Sequence, residues 1–206
     1  MRAGFTTAIA AGFAILWVGA ARADLVTNGG FETETPPGCQ TGTNGLCNLP
    51  PPGWTANDGV VVDTVFPNSG TYDVAMGNDA NGAPATLSQT LSTAPAQTYN
   101  LTFYVFDESA DPTDSFTVSF GNFSATITGD KVPAYTQESF TTAPTDVTAA
   151  TTALLFTAIN GLSDFNLDDV AVTSTVVAVP EAPSLPLMLF ALVSWLGLAK
   201  SVRQRS

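Results

Sequence analysis

Histidine is absent from all 206 residues, and cysteine occurs only twice. Without histidine there is no Ser-His-Asp or Cys-His nucleophile system. Two cysteines with no histidine cannot complete a usual zinc shell. Basic residues are scarce as well: six Lys and Arg stand against 18 Asp and Glu. Between residues 24 and 178 the only one is Lys131. In that span 17 acidic residues face one lysine, a formal charge of −16. Such a surface repels nucleic acid and anionic lipid. No Gly-rich phosphate loop occurs, because "NGG" at 28–30 opens a strand and is not followed by a helix. A glycosidase needs two carboxylates across a cleft, and with so many acids their mere presence selects nothing. Helical periodicity is also missing from the central span.

Charge and apolar runs mark the two ends. "MRAGFTTAIAAGFAILWVGAARADL" places Arg2 before an apolar run from Ala8 to Ala20, then Ala21-Arg22-Ala23. This is the pattern of a secretory signal cleaved before Asp24. At the other end, 18 uncharged residues from Ala182 to Ala199 lie between Glu181 and the cations Lys200, Arg203 and Arg205. As a helix, at about 1.5 Å per residue, they reach roughly 27 Å, enough to span a bilayer at the short limit. The cations place the tail on the cytoplasmic side and the remainder outside.

Val179-Pro180-Glu181, the apolar run and the Arg-containing tail together resemble the PEP-CTERM sorting signal of exported bacterial proteins. Here Ala182 replaces the usual second proline, and Pro183 follows one place later. The resemblance implies an exosortase-type membrane processing enzyme as a partner and cleavage near Pro-Glu. It also implies transient inner-membrane anchoring, then delivery to the cell envelope, surface or matrix of a Gram-negative-type bacterium. The expected organisation is a signal peptide at 1–23, a β domain at 24–173 and a linker with the sorting motif at 174–181. A transmembrane helix at 182–199 and a basic cytoplasmic tail at 200–206 complete it. In an exported compartment Cys39 and Cys47, which bracket "QTGTNGL", are expected to form a disulfide.

The central span reads as strands. Short β-rich runs alternate with Gly, Pro, Asn and Asp. "TYNLTFYVF" puts Tyr99, Leu101, Phe103 and Val105 on one face, and "SFTVSF" does the same for Phe116, Val118 and Phe120. "GVVVDTVF", "TYDVAMG", "ATLSQTLS", "SATITG", "YTQESFTT", "TALLFTAI" and "FNLDDVAVT" supply the others. Eight to ten strands at this spacing predict an all-β, two-sheet antiparallel sandwich.

The order "DLVTNGGFETE", "PPGWTA", "NSGTYDVAMG", "LSQTLSTAPAQTYNLTFYV" and "FNLDDVAV" resembles the galactose-binding-like jelly roll of carbohydrate-binding modules and their non-catalytic relatives. In that fold the first and last strands lie side by side, so Glu32 and Asp168 are expected to meet. The resemblance implies a structural Ca²⁺ held by Glu32, Asp168 and carbonyls of the Ser69-Gly70 turn, with Asp169 the rival of Asp168. The alternative is that these carboxylates accept backbone N–H groups. "DESADPTD", with Asp107, Glu108, Asp111 and Asp114, is a second cation loop or, more simply, a solvated turn. Sugar binding needs aromatic faces and a few polar groups. Trp54, Tyr72, Tyr104 and Tyr135 are the candidates, although Trp54 equally suits a plug at the sandwich end.

These features point to a non-catalytic exported β-sandwich of the cell surface or extracellular matrix, with exopolysaccharide as the contact. A lectin with a defined sugar site is the alternative, and a glycoside hydrolase comes third.

Overall fold

The computed structural model describes residues 23–33, 50–109, 111–128, 134–161 and 163–175. The signal segment, Cys39, Cys47, the Val179-Pro180-Glu181 motif and the C-terminal apolar run lie outside the described residues. Among the described residues there is no helix.

Ten strands follow the alternation of the sequence. They are β1 (Thr55–Ala56), β2 (Val60–Asp63), β3 (Asp73–Met76), β4 (Ala85–Ser92) and β5 (Tyr99–Asp107). Then come β6 (Ser115–Phe120), β7 (Phe123–Thr128), β8 (Thr136–Thr141), β9 (Thr151–Ile159) and β10 (Phe165–Ser174). Two antiparallel sheets result, in the orders β1-β4-β9-β6-β7 and β2-β3-β10-β5-β8. From β3 onward, consecutive strands enter opposite sheets, except at the β6-β7 hairpin, and β10 returns beside β3. That is the connectivity of a jelly roll. The expected strand at 59–66 stops at Asp63. Its carboxylate accepts the Val65 N–H at 2.9 Å and also that of Thr64, which turns the chain out of the sheet.

The period of two sorts every strand into an inward and an outward set. Inward residues from both sheets meet in one core. Phe103, Phe116, Phe156 and Phe165 form its centre, with ring centroids 5.2 to 6.0 Å apart. Each such ring contributes about 1.5–3 kcal/mol by leaving water.

The N-terminal segment completes the second sheet where β3 ends. β3 pairs with β10 only over Phe165–Leu167. Farther along, the Leu25 N–H donates to the Val172 carbonyl and the Val170 N–H to the Gly29 carbonyl, both at 2.9 Å. A Cβ at position 29 would collide with the Val170 carbonyl, so this approach requires glycine. A bulge between Asp168 and Ala171 interrupts the β10–β5 register there, and Asp169 takes φ 52° within it. The bulge turns Asp168 and Asp169 toward the loop joining β2 to β3.

Candidate functional site

The solvent side of the β2-β3-β10-β5-β8 sheet carries the polar and aromatic groups that the core cannot hold. Asp63 on β2 lies opposite Asp73 on β3. Asp168 follows the Leu167–Val74 pair on β10 and lies opposite Tyr104 on β5. Tyr104 in turn lies opposite Gln137 on β8. The neighbouring row runs Val61, Ala75, Asn166 and Phe106. Three carboxylates and an asparagine thus sit under the middle of one face.

Two segments fold over that face from its opposite edges. From the β2–β3 side comes the loop 64–72. Asp168 Oδ2 accepts the N–H groups of Asn68 (2.9 Å) and Ser69 (3.0 Å). Asp169 accepts Asn68 Nδ2 at 2.9 Å and the Ser69 hydroxyl at 2.8 Å. Glu32 Oε1 accepts the N–H groups of Thr71 (2.7 Å) and Tyr72 (2.8 Å). Gly70, at φ 64°, passes so close to Glu32 that a Cβ there would collide with the carboxylate. From the β8 side, Tyr135 reaches over β5 and β10 and donates its hydroxyl proton to Asp73 Oδ2 at 2.9 Å.

Burial under these straps changes the acids. Asp73 has no exposed surface. Desolvation pushes its pKa up to about 7 against the lowering effect of the Tyr135 hydrogen bond, with Asp63 and Asp168 adding like charge. Asp168 rises to about 6, mainly by burial, although its amide donors pull it down. The same burial and the facing carboxylate keep the Tyr135 hydroxyl protonated. Asp73 Oδ1 and Asn166 Oδ1 are buried without a hydrogen-bond partner.

Where the two straps approach each other, Val65, Phe66, Pro67, Phe106, Ala134 and Tyr135 line a pocket of about 430 Å³. Phe66 is 43% exposed. Its ring stands edge-on to Phe106 at 5.6 Å, and Phe106 meets Tyr135 at 5.6 Å. The pocket therefore offers apolar ring surface with a tyrosine at its border.

The structure brings Glu32, Ser69, Gly70, Asp168 and Asp169 together, as the expected juxtaposition of the chain's first and last strands requires. Their chemistry is that of an amide clamp. The groups that meet the carboxylates are N–H and O–H donors, and Ser69 presents its amide and hydroxyl to them. A Ca²⁺ shell takes six to eight oxygens. Among the described residues no group of three or more Asp, Glu, Cys or His is arranged for a metal. As folded, these carboxylates accept backbone N–H groups, the arrangement of the backbone-accepting alternative.

The four aromatic candidates divide by strand parity. Trp54 is only 6% exposed and sits against Phe31 (5.7 Å) and Phe156 (6.2 Å), its indole N–H donating to the Asn28 carbonyl. Tyr72 also packs on the core. Trp54 is interior and Tyr72 half-buried, because each stands one position before a strand residue that points outward. Tyr104 and Tyr135 lie on the solvent side. Phe66, Phe106 and Asp73 were not singled out from the sequence. Phe106 was legible, since it follows Tyr104 by two positions; Phe66 was not, since it lies on a loop. The "DESADPTD" stretch forms a turn: the Ser109 hydroxyl donates to Asp114 at 2.6 Å, and the Thr113 N–H donates to Asp111 at 2.9 Å. The Thr113 N–H and hydroxyl, both donating to Asp111, hold its carboxyl below the usual range.

No family model matches this chain, and no curated protein does. Solved structures of similar chain path exist. A family 16 carbohydrate-binding module superposes with a TM-score of 0.49 at 16% identity, covering 72% of this chain and 98% of that one. The CBM22-1 xylan-binding domain of Paenibacillus barcinonensis Xyn10C gives 0.48 at 17%, over 77% and 98%. The enzymatically active domain of bacteriophage CBA120 tailspike protein 4 gives 0.49 at 14%, over 73% and 21%. The jelly roll of the present chain rests on its own strand pairing.

Proposed function

We propose that this protein is a non-catalytic, exported β-sandwich that holds a glycan against the solvent side of its β2-β3-β10-β5-β8 sheet, with exopolysaccharide at the cell surface or in the matrix as the natural target. The observation that carries this reading is the pocket formed by Phe66, Phe106 and Tyr135. Pyranose rings stack their C–H faces on aromatic rings, and neighbouring polar groups fix their orientation. Tyr104 and Gln137 lie next to the pocket on the same face. The raised Asp73 does not make a glycosidase acid. Such an acid must touch the leaving oxygen, and Asp73 is covered by Tyr135.

Titration of the full-length chain with soluble polysaccharides, followed by calorimetry, tests this. Phe66→Ala should weaken binding roughly tenfold, the loss of about 1.4 kcal/mol, and Tyr104→Ala should weaken it less. Absence of binding to any glycan, or binding indifferent to Phe66→Ala, rejects the pocket.

The sorting half of the proposal rests on the sequence. Val179-Pro180-Glu181 precedes the apolar run and the cationic tail, so it would stand at the outer interface, where proline keeps it extended. Intact mass of the protein from producing cells reads out both cleavages and the Cys39–Cys47 bond together. Retention of the C-terminal tail in cells that carry an exosortase would rule out sorting by this signal.

A further inference from the structure

The solvent side of the other sheet has an unusual composition for so acidic a chain. The outward positions of β1, β4, β9, β6 and β7 are all Ser or Thr except Ala153, Leu155 and Ile159, and none is charged. They align in rows. Thr86, Thr157, Thr117 and Thr126 are consecutive cross-strand partners, as the register of the four strands requires. The next row holds Ser88, Leu155, Ser119 and Ser124. Neighbouring hydroxyls within the rows touch: Thr117 and Thr126 at 3.0 Å, Ser119 and Ser124 at 3.3 Å. The outward side of the opposite sheet instead holds Asp63, Asp73 and Asp168, buried beneath the segments that fold over it.

We propose that this hydroxyl face is where two copies of the chain meet. Three physical arguments support that occupant. Two bodies that each carry a formal −16 between residues 24 and 178 repel least when the charge-free faces approach each other. A two-fold interface must be self-complementary, and a hydroxyl both donates and accepts, so a Ser/Thr lattice satisfies itself in either role. The area is consistent with a reversible contact. Five strands spaced about 4.8 Å and roughly 20 Å long give on the order of 480 Å² per copy, below the ~800 Å² per partner of a standard stable complex. The pairing is therefore weak in dilute solution and becomes populated where copies are crowded, as on a cell surface. It leaves the aromatic pocket on the far side of the sandwich free, so a pair presents two pockets facing away from each other.

The salt dependence of such a pair is opposite to that of an ion-paired interface. Screening shortens the Debye length from about 30 Å at 0.01 M to about 8 Å at 0.15 M. This removes repulsion between the acidic flanks while leaving hydroxyl contacts intact. Sedimentation equilibrium of the full-length chain in density-matched nonionic detergent measures the effect. The expected result is a concentration-dependent dimer that tightens severalfold as salt rises across that range. Thr117→Glu with Thr157→Glu should abolish it, because four carboxylates would then face one another. Ser139→Glu, on the opposite sheet, should not. If the central pair of substitutions impairs folding, as judged by circular dichroism, Ser124→Glu on the edge strand β7 replaces it. A monomer at every concentration and salt overturns the proposal. So does a dimer that salt weakens, or one that survives the glutamates.

Discussion

The Tyr135 hydroxyl donates to Asp73 Oδ2 at 2.9 Å, although the two residues come from opposite sides of a five-stranded sheet. Tyr135 stands just before the edge strand β8, and Asp73 opens β3, with β10 and β5 between them. The bond closes the lid over a row of carboxylates and fixes one wall of the aromatic pocket. Its partner Asp73 is at once fully buried and held near neutrality.

Stability should fall as pH rises toward and through 7. Asp73 has a folded pKa of about 7 against an ordinary 3.8. A group whose folded pKa is raised binds its proton more tightly in the folded chain. Its contribution is complete below the unfolded pKa and is lost as pH climbs from about 4 through about 7. Asp168, raised to about 6, acts in the same direction. The combined loss is on the order of a few kcal/mol. Thermal melts at pH 5 and pH 8 should differ, with the higher melting temperature at pH 5. Asp73→Asn should flatten most of that difference. A melting temperature that rises from pH 5 to pH 8 would contradict the assignment.

Tyr135→Phe removes the donor and leaves Asp73 Oδ2 buried without it. The expected cost is about 1–3 kcal/mol at neutral pH. Because the tyrosine bond lowers the Asp73 pKa, its loss should also move the pH-dependent step upward. Equal melting curves for the two proteins at pH 7 would argue that Tyr135 does not seal the face.

The clamp at the β2–β3 loop separates amide acceptance from calcium binding. Glu32→Gln keeps a carbonyl oxygen for the Thr71 and Tyr72 N–H groups, so the loss should be below about 1 kcal/mol. Glu32→Ala removes the acceptor and should cost about 1–2 kcal/mol. Added Ca²⁺ or chelator should leave the melting temperature unchanged. A calcium-dependent rise that Glu32→Gln abolishes would reverse this reading.

Trp54→Ala should destabilise by about 3–5 kcal/mol, the range for large aromatic losses from a core, because its ring packs on Phe31 and Phe156. Truncating Phe66, which is exposed, should cost far less stability while reducing glycan binding. Denaturant melts alongside calorimetry distinguish the two roles.

Alternation of apolar residues was enough to place most strands. β4 and β6 coincide with the runs read from the sequence, and β5, β9 and β10 differ by a residue or two. A period of two is a local property, fixed by which side chains must leave water. The same parity separates Phe103 from Tyr104 and made the Ser/Thr rows possible. The resemblance in "NGGFE" and "LDDV" also placed Glu32 and Asp168 near each other, since pairing of the first and last segments follows from the jelly roll's connectivity.

What those carboxylates do was decided only in three dimensions. An Asp or Glu offers the same oxygens to a cation or to an N–H group, and nothing local distinguishes the two. The turn at Asn68–Tyr72 supplies amides because the β10 bulge and the glycine at position 70 bring that backbone within reach. Burial is equally non-local. Asp73 titrates near neutrality because a loop from one edge and a tyrosine from the other exclude water above it. Trp54 went to the core and Phe66 to the pocket by the same cause. Patterning along a chain determines which face a residue takes within its strand, whereas packing between segments distant in sequence determines what covers that face.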